Sequence, residues 1–223
     1  MNELTLYIGN KNYSSWSMRP WLVLQHSGLP FREIVSPLRQ PDSKARFLAL
    51  SPAGRVPVLH HGHVVIWESL AICEYLAELA PGAGLWPSDP ALRAHARSIA
   101  HEMHAGFARL RENLPMDVRS DRRAQSRAHL AADDITRIGD IWRQARQGFG
   151  RRMDGPFLFG SFTIADAMYV PVVSRFRTYG VTLEEVGAAY MAAILDWPAF
   201  KAWEAAAAAE TAVIDFDIFG QPR

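Results

Sequence analysis

As far as Leu79, short β-prone apolar runs alternate with segments of helical period; beyond it, helical periods dominate. Leu4 to Ile8 is the first apolar run, broken by Gly9-Asn10. Arg19 to His26 predicts a helix, with Ser17 as its N-cap, Pro20 in the first turn where a missing N–H costs nothing, and Gly28 as its stop. Phe31 to Val35 predicts a second strand. Asp42 is placed to cap a helix from Ser43 to Leu50, which Ser51-Pro52 terminates. Val56 to Leu59 and Val64 to Trp67 flank His61-Gly62 and predict a hairpin. Ser69 then opens a helix reaching about Leu79. The predicted order is β-α-β-α-β-β-α.

From Pro81 the character changes. The Pro/Gly-rich stretch PGAGLWPSDP marks a boundary between an α/β domain at 1–80 and an all-helical domain at 90–223, with a linker at 81–89. Asp89-Pro90 caps a long helix expected to reach about Asn113. A second helix, rich in Arg and Ala, is expected from about Arg122 to Gln147, followed by a loop from Gly148 to Gly160. Thr163-Ile164-Ala165-Asp166 has the spacing of a capping box, with Asp where Glu or Gln is usual, and predicts a helix to about Arg177. Shorter helices are expected over Leu183–Leu195 and Pro198–Glu210. After Trp67 the tail VIDFDIF alone has a strand pattern.

Composition narrows the class. The 223 residues are 49% hydrophobic and 21% charged, ordinary for a globular protein. A net charge of +1 sets up no whole-molecule field toward nucleic acid or an anionic membrane. The arginines at 119, 122, 123, 127, 143, 146, 151 and 152 are interleaved with acids and read as solvated helix surface. One cysteine, Cys73, excludes an intramolecular disulfide framework and fits a reducing compartment. The N-terminus lacks a basic region followed by an apolar core, and no apolar run approaches a membrane span. The expectation is a soluble cytoplasmic protein.

Candidate chemistry concentrates between Ser51 and Tyr75. Val56-Pro57 leads the hairpin and offers backbone groups to an extended ligand, while Glu68-Ser69 stands at a helix mouth. Ser69 reads as an N-cap whose hydroxyl, with the next free N–H groups, makes a carboxylate site. A polar Tyr13-Ser14-Ser15 cluster follows the first strand and supplies hydroxyl donors, although turn and cap roles account for it equally. His60, His61 and His63 crowd the hairpin tip, but alternate residues face opposite sides and no Cys or Asp stands nearby, so no metal is expected. His101-Glu102-Met103-His104 lacks the His-Glu-x-x-His spacing of a zinc site.

The element order and four separated motifs resemble the cytosolic glutathione transferase family. Ala53 to Leu59 (AGRVPVL) resembles the segment around its cis-proline. Trp67 to Leu76 (WESLAICEYL) resembles its Glu-Ser and third-helix signature, and Thr163-Ile164-Ala165-Asp166 its capping box. Ser14 to Arg19 (SSWSMR) resembles the Ser-Ser-Cys-Ser-Trp-Arg motif of zeta-class members. The resemblance implies an α/β plus all-α protein: a thioredoxin-like N-terminal domain followed by a helical-bundle C-terminal domain. It further implies a homodimer with no metal, glutathione as co-substrate, and a small hydrophobic electrophile attacked by the glutathione thiolate in a cleft between domains.

By the same resemblance Ser14 activates the thiol, with Ser15 beside it. Val56 exchanges main-chain bonds with the cysteinyl unit and Pro57 is cis. Ser69 takes the γ-glutamyl carboxylate, Glu68 the neighbouring ammonium, and Arg55 the glycine carboxylate; Gln40 and Lys44 stand where a further contact is common. Tyr7 and Tyr13 compete as activators. Thiol-type relatives carry a cysteine after the first strand; none is present here, and Cys73 reads as a small buried hydrophobe. Trp16 replaces the cysteine of the zeta motif, which bears on maleylacetoacetate isomerisation, and is a candidate wall of the electrophile pocket. Met103, His104 and Phe107 are candidate walls too, or a helix core stripe. The rival readings are a zeta-type glutathione-dependent isomerase and a non-catalytic transferase-like module that binds protein partners.

Overall fold

The computed structural model describes residues 3–147 and 154–214. Strands β1 (Leu4–Ile8), β2 (Phe31–Val35), β3 (Val58–His61) and β4 (Val64–Trp67) and helices α1 (Ser15–Ser27), α2 (Ser43–Leu50) and α3 (Ser69–Leu79) follow the predicted order. The sheet runs β2-β1-β3-β4, with β1 parallel to β2 and antiparallel to β3, and β4 antiparallel to β3. Along β1, Leu4, Leu6 and Ile8 are buried and Thr5 and Tyr7 are half-buried, the two-residue period of a strand. Helices α1 and α3 pack together, burying Leu22, Ile72, Cys73 and Leu76. Tyr7 points away from Leu6 and Ile8 and rests on the His60 ring at 4.8 Å. His60 Nε2 lies 3.0 Å from the carbonyl of Leu50, which ties the end of α2 to that side.

Three local expectations are corrected in this half. Helix α1 starts at Ser15 instead of Arg19, and its N-cap is Ser14 instead of Ser17. The apolar face begins only at Met18, so the first turn carries no periodic signal. Pro20 therefore lies inside the helix, where the i−4 carbonyl it leaves without a donor is that of Trp16. Gly28 at φ 70° closes the helix in the left-handed conformation, as expected. Strand β3 starts at Val58, leaving Val56 and a cis Pro57 ahead of the ladder. Helix α3 takes Glu68 as its N-cap, at φ 70°, and Ser69 is its first helical residue.

The helical half comprises α4 (Pro90–Ala105), α5 (Ala108–Asn113), α6 (Ala132–Gln147), α7 (Ile164–Tyr179), α8 (Glu185–Asp196) and α9 (Pro198–Ala208). The long helix expected to Asn113 breaks at Gly106-Phe107. Gly106 leaves the helical region, Phe107 takes φ 61°, and a Cβ at 106 would lie 2.8 Å from the Glu102 carbonyl. Arg111 reaches back across the break, donating to the carbonyls of Gly106 (3.1 Å) and Met103. The helix expected from Arg122 begins instead at Ala132, after two 3₁₀ turns at Arg123–Gln125 and Ala128–Ala131.

The capping box is present. Asp166 accepts from Thr163 N–H (2.8 Å) and hydroxyl (2.9 Å), from Leu158 N–H (2.9 Å) and from Tyr190 (3.1 Å). It starts α7, which is buried on almost every side and packs against α1, α4 and α8. Of the expected 148–160 loop, residues 154–160 are described and carry a bridge between Phe157 and Gly160; 148–153 lie outside the described residues. In the strand-like tail, Val213 and Ile214 have no regular structure and the remainder lies outside the described residues. Among the described residues no helix is long and apolar enough to cross a membrane.

Candidate active site

Strand pairing gathers the candidate residues at one end of the sheet. Tyr7 pairs with Val58, and Val58 with Trp67. The end of β1, the start of β3 and the end of β4 therefore lie side by side. From that edge leave the 9–14 loop into α1, the Val56–Pro57 approach to β3, and Glu68-Ser69 at the mouth of α3. The cleft beside them measures about 1570 Å³ and is lined by Tyr13, Ser14, Ser15, Trp16, Gln40, Lys44, Arg55 and Val56 from this half. From the helical half come Ala108, Arg111, Glu112, Pro115, Met116, Arg127 and Arg175.

Ser14 and Ser15 are both nearly buried and differ in their partners. Ser14 Oγ accepts from Ser17 N–H at 3.4 Å and donates to Ser17 Oγ at 2.8 Å; Ser17 Oγ in turn accepts from Gly9 N–H at 3.0 Å. Ser15 Oγ accepts from the buried Arg175 guanidinium at 3.2 Å, which leaves its own proton available to donate. Arg175 also donates to the carbonyls of Leu114 (2.9 Å) and Pro171 (3.2 Å). Burial, then the neighbouring Arg111, lowers the Arg175 pKa below the usual guanidinium value.

Trp16 is held on edge and face. The Arg19 and Arg111 guanidinium carbons lie 4.2 and 4.6 Å from its ring centroid, and His104 meets it in a T-shape at 5.3 Å. Arg19 is fully buried, and none of its three nitrogens has a hydrogen-bond partner among the described residues. Burial, with Arg111 and Arg175 nearby, drives its pKa well down. His104 is 3.7 Å from Glu68, and burial, then Arg19, lowers its pKa.

At the mouth of α3 the expected N-cap is shifted by one residue, to Glu68. Ser69 is 1% exposed, in the first turn of α3, and its Oγ has no hydrogen-bond partner among the described residues. A buried hydroxyl beside free helix N–H groups is a fitting receiver for a carboxylate. Pro57, Glu68 and Ser69 flank the open cleft and are not in its lining. Arg55 is exposed and does line it. Tyr7 is not in the lining; Tyr13 is, with its O–H donating to the Ala212 carbonyl at 3.3 Å. Of the three candidate walls, Met103 on α4 and Phe107 just after it are core residues, and His104 on α4 meets the Trp16 ring; none lines the cleft. Cys73 is fully buried, and burial raises its thiol pKa far above the usual value. Among the described residues no group of His, Cys, Asp and Glu is arranged to hold a metal.

Sequence reasoning missed Arg111 and Arg175. Arg175 had a signal: a cation inside IADAMYVPVVSRFRTY, a helix otherwise apolar enough to be buried all round. Arg111 had none, because it is placed by the break at Gly106.

A thioredoxin-like α/β half joined to a helical half, with two serines in the cleft beside the sheet edge, is the architecture of a glutathione-dependent class of protein. Family models agree: the glutathione S-transferase N-terminal domain matches residues 13–79 and the C-terminal domain residues 102–206. The chain belongs to the glutathione S-transferase family. It is 30% identical over 196 residues to the maleylacetoacetate isomerase of Rhizobium meliloti, covering 82% of this chain and 85% of that one. Its structure is similar to a zeta-class bacterial maleyl pyruvate isomerase, with TM-score 0.72, 26% identity, and coverage of 94% of this chain and 100% of that one. It is also similar to the theta-class glutathione S-transferase of Xanthomonas axonopodis pv. citri, solved with glutathione bound, with TM-score 0.66, 25% identity, and coverage of 91% and 97%.

Proposed function

We propose that the chain binds glutathione along Val56, Glu68 and Ser69 and activates its thiol as a thiolate for attack on a small electrophile, with Ser14, whose hydroxyl proton turns from Ser17 Oγ to the sulfur when the ligand binds, as donor and Ser15 beside it. The observation that carries this reading is the buried Ser69 hydroxyl in the first turn of α3, which has no hydrogen-bond partner among the described residues and lies two residues past Trp67, the residue paired with Val58 at the start of β3. A free cysteine thiol has a pKa near ~8.5, so only a small fraction is ionised at neutral pH. A hydroxyl donated to the sulfur, with the α1 N-terminus and the Arg175 cation close by, favours the anion. Arg55, with Lys44 and Gln40, faces the glycine end of the peptide.

Calorimetry with glutathione tests the reading: binding at millimolar concentration or better is expected, and none would refute it. Turnover of aryl halides, isothiocyanates and peroxides then defines the activity. Ser14→Ala is expected to raise the pKa of the bound thiol and lower kcat; a variant that keeps both moves the role to Ser15 or Tyr13.

One observation favours a second reading, a glutathione-dependent isomerase. The electrophile side of the cleft carries Arg111, Arg127 and Arg175 against the single acid Glu112, which suits an electrophile bearing a carboxylate. Two of the similar proteins are named as isomerases of maleyl compounds. Trp16, where the zeta motif has cysteine, is the departure. Turnover of maleylacetone compared with the uncharged panel separates the readings.

The protein is proposed to act in the cytoplasm, which its single buried and unpaired cysteine supports, and to form a homodimer, with exposed Trp67 and Leu79 available for a second copy to cover. Light scattering reads the mass directly.

A further inference from the structure

We infer that Glu210, just past α9, is a positioning residue for the serines: with Arg119 it latches the loop that delivers Ser14 and Ser15 to the cleft. This rests on the thiol-activation reading above and adds to it a residue distant in sequence and outside the cleft. One carboxylate grips two successive amides, Oε1 accepting from Lys11 N–H at 2.6 Å and Oε2 from Asn12 N–H at 3.1 Å. Charge-assisted bonds of this kind are about twice as strong as neutral ones. Arg119 holds the segment from the other side, donating to the carbonyls of Glu210 and Ala212 (2.8 Å for Ala212) and to the Tyr13 hydroxyl at 3.3 Å.

The rest of the loop is held by the same half of the molecule. Asn12 is fully buried. Its carbonyl accepts from Val118 N–H (3.2 Å), its Oδ1 from Arg119 N–H (2.9 Å), and its Nδ2 donates to Asp117 (2.8 Å). The Lys11 carbonyl accepts from the Trp203 indole at 2.9 Å.

The loop then passes its position on without slack. The Asn10 carbonyl accepts from both Tyr13 N–H (3.1 Å) and Ser14 N–H (2.8 Å), and Ser14 caps α1. Strand β1 on one side and α1 on the other are fixed by the core, so what the latch sets is the short span between them. Displacing a reacting group by about 1 Å can cost on the order of 100-fold in rate. The peptide half-site at Val56, Glu68 and Ser69 lies on the approach to β3 and at the mouth of α3 and does not depend on this span.

The test is the pH titration of thiolate absorbance in the glutathione complex of Glu210→Ala, with kcat and the glutathione dissociation constant measured alongside. The expected result is a bound-thiol pKa raised by about half a unit or more, which is a threefold loss of thiolate. A kcat reduced about 5- to 10-fold should accompany it, with glutathione affinity within about twofold of wild type. Glu210→Gln keeps one acceptor oxygen and should fall between the two, and it carries the test if the alanine variant does not fold. Arg119→Ala should act in the same direction, and the double variant should lose little more than either single one, because both act on one latch.

A simple charge effect gives the opposite sign: removing a nearby carboxylate without moving the serines would lower the thiol pKa. A lowered or unchanged pKa, or an unchanged kcat, in the folded variants overturns the latch. Wild-type protein that binds no glutathione overturns the thiol-activation reading itself, and the latch falls with it.

Discussion

Ser69 separates what a residue does for the fold from what it does for a ligand. Its buried hydroxyl has no hydrogen-bond partner among the described residues, so in the free enzyme it is a desolvated group without a compensating bond to them. Ser69→Ala should therefore leave the free protein as stable as before, or up to about 1 kcal/mol more so, by thermal or urea melts. The same variant should weaken glutathione binding about 10- to 100-fold, the loss of a hydrogen bond to a charged group worth about 1.5–3 kcal/mol. A destabilised free protein with unchanged affinity would show that Ser69 is only a structural residue of the helix mouth. Ser69, Val56, Ser14 and Ser15 could be picked out in the sequence because each belongs to a local feature: a helix mouth, a strand approach, a turn. Arg111 and Asn12 could not, since their roles depend on partners that tertiary folding brings to them.

Among the elements, α7 shows how one buried carboxyl fixes a helix start. Four hydrogen bonds converge on Asp166, yet burial outweighs them and pushes its pKa up to about 6 from the ordinary 3.8. A folded pKa above the unfolded one means the folded state binds the extra proton. The stability Asp166 contributes is then fully present below about pH 4 and is lost as pH rises through about 6. Asp166→Asn removes that titration. Its cost in urea unfolding should be several kcal/mol at pH 4 and smaller at pH 7. A cost that grows with pH would mean that the four donors win and the carboxyl is ionised throughout. The capping box was readable because it is a spacing within four residues. The break after α4 was not. Its cause is a backbone turn at Gly106-Phe107, closed by Arg111 from the next helix, and helical periodicity carries straight across it. The late start of α6 is a similar case: two 3₁₀ turns precede it in a stretch whose Arg and Ala content favours helix.

For the molecule as a whole, a net charge of +1 hides a local field. The cleft is lined by Arg39, Lys44, Arg55, Arg111, Arg127 and Arg175 against Glu112. The overall composition gave no warning of this because the balancing acids lie elsewhere, as with Glu102 on Arg137 and Asp140 on Arg143. The stretch from Ser51 to Tyr75 stands out as contiguous chain, whereas the opposite wall of the cleft is assembled from Arg111 on α5, Arg127 just before a 3₁₀ turn and Arg175 on α7. A concave site with cationic walls concentrates anions, and the effect is screened over a Debye length of about 8–10 Å at physiological salt. Glutathione is anionic at neutral pH, so its KM should rise severalfold between low ionic strength and about 0.5 M salt. With glutathione saturating, a carboxylate-bearing electrophile should show the same rise while an uncharged aryl halide does not, since only the first is drawn in by Arg111, Arg127 and Arg175. The kcat values should change little, because screening acts on encounter and binding more than on groups already in contact. Equal salt dependence for the two electrophiles would confine the field to the peptide side, and it would remove the electrostatic case for an anionic second substrate.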